Sequence, residues 1–100
     1  NSALKVVTLL TADELFAVMR RIENECGRER SVHWGDRTLD LDMIFFDGEV
    51  RGEGDLILPH PEMHKRAFVL EPLAEIAPYV VHPLFGKRVS ELLAELYTGF

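Results

Sequence analysis

Two aspartates, Asp40 and Asp42, stand two residues apart at the start of an apolar segment, and Arg37 precedes the first of them by three residues. Residues two apart on a β-strand face the same side and lie roughly 6.5–7 Å apart along it. Two carboxylates at that separation can share hard divalent cations, which are a common device in phosphoryl transfer. The alternative is an edge strand whose polar face begins with two solvated acids, and the acidic pair alone favours it. The nearby arginines favour a site for a metal–polyphosphate ligand instead.

The segments that must position these acids have the composition of β-strands. Residues 4–10 are branched and apolar, and residues 39–46 place the two acids on one face ahead of Ile44 and Phe46. This pattern predicts a strand that is buried on both faces at its far end, with the carboxylates at its entrance. Asp47 followed by Gly48 then predicts a two-residue hairpin turn.

A helix is predicted between these two segments. Thr11 and Glu14 have the spacing of a capping box, in which each side chain accepts a hydrogen bond from the other residue's backbone N–H. Gly27 is well placed to end the helix in a left-handed conformation. Arg20 and Glu23 fall on or near its polar side, which is typical of a solvated helix face. The apolar face consists of Leu15, Val18, Met19, Ile22 and Cys26.

The polar stretch 28–37 has no clear periodicity and is predicted to be a loop. Loops of this length are more often functional or mobile than simple connectors. The rigid Pro59-His60-Pro61 segment predicts that His60 stands on a stiff loop. A lone histidine is more often a surface or packing residue, and His33, His64 and His82 are interpreted in that way. Two short helices are predicted around Arg66 and Pro72, and a terminal helix over residues 89–97.

Composition limits the class of protein. The chain has 100 residues, a net charge of −6 and a single cysteine. The acidic balance argues against nucleic-acid binding, because phosphate attraction normally requires a basic excess. No apolar run is long enough for a membrane span, and no internal disulfide can form. A single cytoplasmic domain over residues 1–100 is expected.

The later motifs identify a family resemblance. The W-G-D-R-T-L-D-L-D run that begins at Trp34, the L-P-H-P run around His60 and the M-H-K-R-A-F-V-L run around Arg66 are followed by P-L-A-E-I-A-P from Pro72. Together these blocks closely resemble 6-hydroxymethyl-7,8-dihydropterin pyrophosphokinase of folate biosynthesis. The resemblance covers essentially the whole chain and matches the later two-thirds of the family's length.

The resemblance implies a diphosphotransferase reaction. The terminal diphosphate of ATP moves to the hydroxymethyl group of a reduced pterin, and AMP is released. Two magnesium ions are implied, bound by Asp40 and Asp42, with ATP as co-substrate. Magnesium agrees with the chemistry of the acids, because it takes hard oxygen ligands and keeps substrate phosphates in its coordination shell.

By the same resemblance, several side chains bind the nucleotide. Arg37 and Arg66 are expected to contact phosphate oxygens, and His60 is expected to contact the nucleotide phosphates. Glu23 matches a helix residue near the nucleotide. No covalent nucleophile is needed, since phosphoryl transfer depends mainly on positioning and charge neutralisation.

Other matched residues concern closure and the pterin. Arg28 and Arg30 match basic residues of a loop that closes over the substrates, with Trp34 at its base. Phe68 matches an aromatic residue that stacks on the pterin, and Asn1 matches a residue that hydrogen-bonds the pterin ring. These assignments rest on the resemblance alone.

The implied fold is an α/β (α+β) ferredoxin-like sandwich with a mostly antiparallel sheet flanked by helices, here without its N-terminal part. Other interpretations stay open: a catalytically incompetent fragment or nucleotide-binding remnant, or a small acidic adaptor domain whose arginines bind an acidic peptide. The 100 residues alone are not expected to form a stable, active monomer. Pairing of two copies through open sheet edges, or fusion to other folate-pathway domains, would supply what is missing.

Overall fold

The structure is a computed structural model that describes residues 2–30 and 39–99, with the backbone alone for residues 28–30. Backbone contacts group the chain into two units. The larger unit has its described residues in 2–7 and 44–99, and the smaller unit has them in 8–30 and 39–43. The expectation of a single domain over residues 1–100 stays a prediction.

The smaller unit contains helix α1, Ala12–Arg30. The predicted capping box is confirmed: the Thr11 N–H donates to Glu14 Oε1 at 2.8 Å, and the Glu14 N–H donates to Thr11 Oγ1 at 3.2 Å. The predicted end at Gly27 is wrong, because the helix continues to Arg30. A glycine inside a helix costs only about 1 kcal/mol relative to alanine, so the helical bonds of the following residues can carry the helix past it.

The larger unit contains a 3₁₀ turn at Met63–Lys65, helix α2 at Ala67–Ile76 and helix α3 at Val89–Thr98. The predicted terminal helix is therefore confirmed, whereas Pro72 lies inside α2 rather than at the start of a separate helix. The 3₁₀ turn, α2 and α3 enclose one apolar core, which positions the first turn of α2. Its buried members are Met63, Leu70, Leu73, Val89 and Leu92.

The predicted fold class is wrong for the part of the chain that the structure describes. The α/β (α+β) ferredoxin-like sandwich requires a sheet, but residues 2–30 and 39–99 contain helices and no strand. Their only β-type pairings are two isolated antiparallel bridges, Arg51 with Leu58 and Val81 with Arg88. Branched apolar composition reflects a preference for packed surfaces, and a strand forms only where a neighbouring backbone pairs with it. Among the described residues, the predicted strands 4–10 and 39–46 form no bridge, and the one hydrogen bond from the His60 N–H to the Ile44 carbonyl does not make a ladder.

The turn at Asp47 and Gly48 is confirmed, but the hairpin is not. The Glu49 N–H donates to the Phe46 carbonyl at 3.0 Å, and Asp47 has a positive φ of 51°. Aspartate tolerates this left-handed region better than most residues. After the turn, Arg51 pairs with Leu58 through two backbone hydrogen bonds of 2.8 and 3.0 Å instead of pairing back along the acidic segment.

No helix within residues 2–30 and 39–99 has both the length and the apolar character required to cross a bilayer.

Candidate functional site

The two aspartates of the smaller unit are accessible. Asp40 and Asp42 are both exposed, whereas Leu41 between them is half-buried and Met43 after them is buried. The backbone of this segment is therefore partly covered while its two carboxylates stay in solvent. Solvated carboxylates two residues apart are available to a cation that arrives with a ligand.

Glu23 connects helix α1 to this acidic segment. Its Oε2 accepts the Leu41 backbone N–H at 2.7 Å, and its Oε1 forms an ion pair with Arg20 one turn earlier. The Arg20 guanidinium also lies over the Phe16 ring, with Cζ 4.6 Å from the ring centroid. The sequence placed Arg20 and Glu23 on a solvated helix face, and the resemblance placed Glu23 near the nucleotide, but neither predicted these contacts. The spacing of four and then three residues along α1 could have revealed the contacts among Phe16, Arg20 and Glu23. No spacing signal points to Leu41, which lies 18 residues from Glu23.

In the larger unit, His60 is half-buried on the loop before the 3₁₀ turn. Its backbone N–H donates to the Ile44 carbonyl at 2.9 Å, and its Nδ1 accepts the Glu62 N–H at 3.3 Å. An imidazole whose Nδ1 accepts a hydrogen bond carries its proton on Nε2 when neutral. The loop therefore presents a histidine with an N–H donor at Nε2, which suits an anionic oxygen.

Arg66 and Phe68 lie together at the start of α2. Arg66 is the N-cap residue, and its guanidinium Cζ lies 5.8 Å from the centroid of the Phe68 ring. The Phe68 residue is 52% exposed. Among the described residues, no carboxylate pairs with the Arg66 guanidinium. The pair offers a cation and an exposed aromatic face side by side.

Five of the predicted residues cannot be placed in full. Asn1, Trp34 and Arg37 lie outside the described residues. The backbones of Arg28 and Arg30 belong to the last turn of α1, so the prediction that the loop begins at residue 28 is wrong there.

The donor set fits magnesium bound together with a nucleotide. Among the described residues, no group of three or more histidine, cysteine, aspartate or glutamate side chains could hold a metal ion by itself. Magnesium usually takes one or two carboxylates and completes its octahedron with waters and substrate phosphates. Two exposed aspartates meet that requirement without an all-protein cage.

His82 is a packing residue, as expected of a lone histidine. It is 2% exposed, and its ring stacks on Phe85 with centroids 4.1 Å apart and planes at 13°. Its Nδ1 accepts the N–H groups of Leu84 and Phe85, each at 3.2 Å. Burial lowers the pKa of His82, and the neighbouring His64 lowers it further. The lowered pKa and the two accepted hydrogen bonds both favour the neutral imidazole in this loop.

A cavity of about 600 Å³ lies elsewhere in the larger unit, among the 3₁₀ turn, the loop after His82 and α3. His64, Lys65, Phe85 and Glu95 are among its lining residues. None of the predicted site residues lines it, so its size gives no support to the predicted chemistry.

Comparison with known proteins supports the family resemblance. The model of the family described as 7,8-dihydro-6-hydroxymethylpterin-pyrophosphokinase matches residues 1–78. A 2-amino-4-hydroxy-6-hydroxymethyldihydropteridine pyrophosphokinase of Bacillus subtilis is 49% identical over 80 residues, which cover 80% of this chain and 48% of that protein. The protein of the same name from Synechocystis is 42% identical over 96 residues, covering 96% of this chain and 49% of the relative.

One longer relative is named as a bifunctional protein. The bifunctional protein FolKE of Lactococcus lactis subsp. lactis is 45% identical over 94 residues, which cover 92% of this chain and 27% of that protein. This chain spans about half the length of the Bacillus subtilis and Synechocystis relatives. The family match nevertheless extends over 78 of the 100 residues and includes both aspartates, His60, Arg66 and Phe68. The chain belongs to the 7,8-dihydro-6-hydroxymethylpterin-pyrophosphokinase family.

Proposed function

We propose that the protein containing this chain transfers diphosphate from ATP to the hydroxymethyl group of 6-hydroxymethyl-7,8-dihydropterin and releases AMP. The observation that carries this proposal is the exposed pair Asp40 and Asp42 within the part of the chain that matches the family. The names of the relatives agree with this reaction. The cytoplasm is the proposed location.

The acidic segment is proposed to bind magnesium. Asp40 and Asp42 would hold two ions together with the phosphates of ATP. Bound magnesium would neutralise phosphate charge and orient the polyphosphate for in-line displacement. Because both side chains are exposed, they are available without a rearrangement of the packed core.

The cationic side chains are proposed to bind the phosphates. Arg66 can form two parallel hydrogen bonds with phosphate oxygens through its guanidinium fork. His60 would donate from Nε2, since its Nδ1 accepts the Glu62 N–H. Arg37 is assigned to phosphate as well, and Arg28 and Arg30 to closure over the substrates.

The aromatic side chains are proposed to hold the ring systems. The exposed ring of Phe68 would stack on the pterin. The adjacent Arg66 guanidinium would then lie near the pterin hydroxymethyl group that accepts the diphosphate. Asn1 is assigned to hydrogen bonds with the pterin ring, and Trp34 to the base of the closing segment.

The reaction then proceeds by one displacement. The pterin hydroxyl oxygen forms a bond to the β-phosphorus of ATP, and the bond from that phosphorus to the oxygen bridging it to the α-phosphorus breaks. AMP leaves with that oxygen, and the hydroxyl proton is lost to solvent. The protein's contribution is the alignment of the two substrates and the neutralisation of phosphate charge.

Fusion of this chain to another folate-pathway domain is also proposed, because the Lactococcus lactis relative is named a bifunctional protein. A homodimer stays a prediction, and the described residues offer no sheet edge through which it would form.

The experiment is a thermal melt with magnesium, a non-hydrolysable ATP analogue, or both. A nucleotide–metal site predicts that the two together raise the melting temperature more than the sum of their separate effects. A shift with an acidic peptide and none with the nucleotide would favour the adaptor interpretation. Formation of AMP from ATP only when the pterin is present distinguishes an active enzyme from a nucleotide-binding remnant.

A further inference from the structure

We propose that Glu23 is a positioning residue for the metal-binding acids: it anchors the backbone between them rather than contacting the nucleotide. This inference rests on the proposed function of Asp40 and Asp42. It deepens that function by assigning the orientation of the two carboxylates to a specific side chain on α1.

The contact is direct and well placed. Glu23 Oε2 accepts the Leu41 N–H at 2.7 Å, and Leu41 is the residue between the two aspartates. The φ and ψ angles of Leu41 determine whether the Asp40 and Asp42 side chains point to the same side. A hydrogen bond at this N–H therefore restrains the torsions on which a shared cation site depends.

The carboxylate of Glu23 is itself held in place. Its side chain is 15% exposed, whereas Asp40 and Asp42 are both exposed. Its second oxygen pairs with Arg20, and Arg20 rests on the Phe16 ring. A hydrogen bond from a backbone N–H to a carboxylate shielded from water is stronger than one between neutral groups.

This arrangement also argues against the resemblance-based expectation that Glu23 contacts the nucleotide. Both of its carboxylate oxygens already have partners within the smaller unit. A negative charge that faced the triphosphate would oppose nucleotide binding. The same carboxylate, paired with Arg20 and accepting the Leu41 N–H, instead restrains the backbone between the two aspartates.

The test compares two substitutions that separate the acceptor from the charge. Glu23→Gln keeps a carbonyl oxygen that can accept the Leu41 N–H, and Glu23→Ala removes every acceptor. Glu25→Ala is the matched control, because it removes an exposed carboxylate from the same helix. Two quantities are measured: the affinity for Mn²⁺ in the presence of a non-hydrolysable ATP analogue, by electron paramagnetic resonance of the free ion, and the exchange rate of the Leu41 amide, by NMR.

The expected result is a graded response. Glu23→Ala should weaken Mn²⁺ binding about tenfold and speed exchange of the Leu41 amide at least as much, since the lost bond is to a charged acceptor. Glu23→Gln should keep most of the Mn²⁺ affinity and most of the protection of the Leu41 amide. Glu25→Ala should change neither the affinity nor the exchange rate. Restoration by glutamine is the result that a role in helix stability alone would not produce.

Two outcomes would overturn the inference. One is Mn²⁺ affinity in Glu23→Ala within twofold of the unsubstituted protein. The other is an equal loss of affinity in the glutamine and alanine variants while the Leu41 amide stays protected in the glutamine variant, which would assign Glu23 to direct ligand contact. Asp40→Asn distinguishes a failure of the Glu23 inference from a failure of the proposed function. Unchanged Mn²⁺ binding in Asp40→Asn would contradict the assignment of the metal site itself.

Discussion

The guanidinium of Arg66 lies over the ring of Phe68, with Cζ 5.8 Å from the ring centroid, at the first turn of α2. Among the described residues, no carboxylate neutralises this cation, and the ring beside it is 52% exposed. The pair has the composition of a ligand-binding surface rather than of a packed core.

We predict that Arg66→Lys lowers kcat/KM by about tenfold or more, which corresponds to ~1.4 kcal/mol of transition-state stabilisation. Lysine keeps the charge but loses the planar fork that binds two phosphate oxygens at once. The measurement is steady-state kinetics of the full-length enzyme. Arg88→Lys is the matched control, because Arg88 is exposed and is assigned no phosphate contact. Unchanged kinetics in Arg66→Lys would make Arg66 a surface residue only.

We predict that His82 makes the protein less stable as the pH falls below 6.5. Burial lowers the pKa of His82 below its ordinary value of 6.5 in the folded chain, so the unfolded chain takes up the proton first. The contribution of His82 to the free energy of unfolding is therefore largest above pH 6.5 and declines as the pH falls toward the lower folded pKa. Protonation of Nδ1 would also break the hydrogen bonds from Leu84 and Phe85.

Urea unfolding at pH 7.5 and pH 5.5 measures this effect. His82→Phe preserves an aromatic ring that can stack on Phe85 but has no proton to bind. This variant should be less stable at both pH values, because two N–H groups lose their acceptor, and should show a smaller difference between them. An undiminished pH dependence would contradict the assignment to His82.

The sequence predicted local features well and nonlocal ones poorly. The capping box of Thr11 and Glu14 was predictable because its hydrogen bonds join residues three apart. The sheet was predicted wrongly because strand formation depends on a paired neighbour, and composition does not report that pairing. The contact between Glu23 and Leu41 was missed for a similar reason, since it joins residues 18 apart.

Self-association of the 100-residue chain is a further prediction. Leu4 and Val7 are 84% and 93% exposed, and an exposed apolar segment with unpaired backbone is a site for association. Val7→Lys should reduce association without lowering stability, because the valine buries little surface within the chain. Sedimentation velocity measures the distribution of species. A compact, active monomer of the unsubstituted chain would contradict the prediction.

The central claim is that Asp40 and Asp42 bind magnesium together with ATP, and isothermal titration of a non-hydrolysable ATP analogue in the presence of magnesium tests it most directly. Asp40→Ala and Asp42→Ala should each abolish the magnesium-dependent part of the binding with little change in stability, because both side chains are exposed. Asp55→Ala, which removes another exposed carboxylate, should bind as the unsubstituted protein does. Unchanged affinity in both Asp40→Ala and Asp42→Ala would contradict the assignment of the metal site.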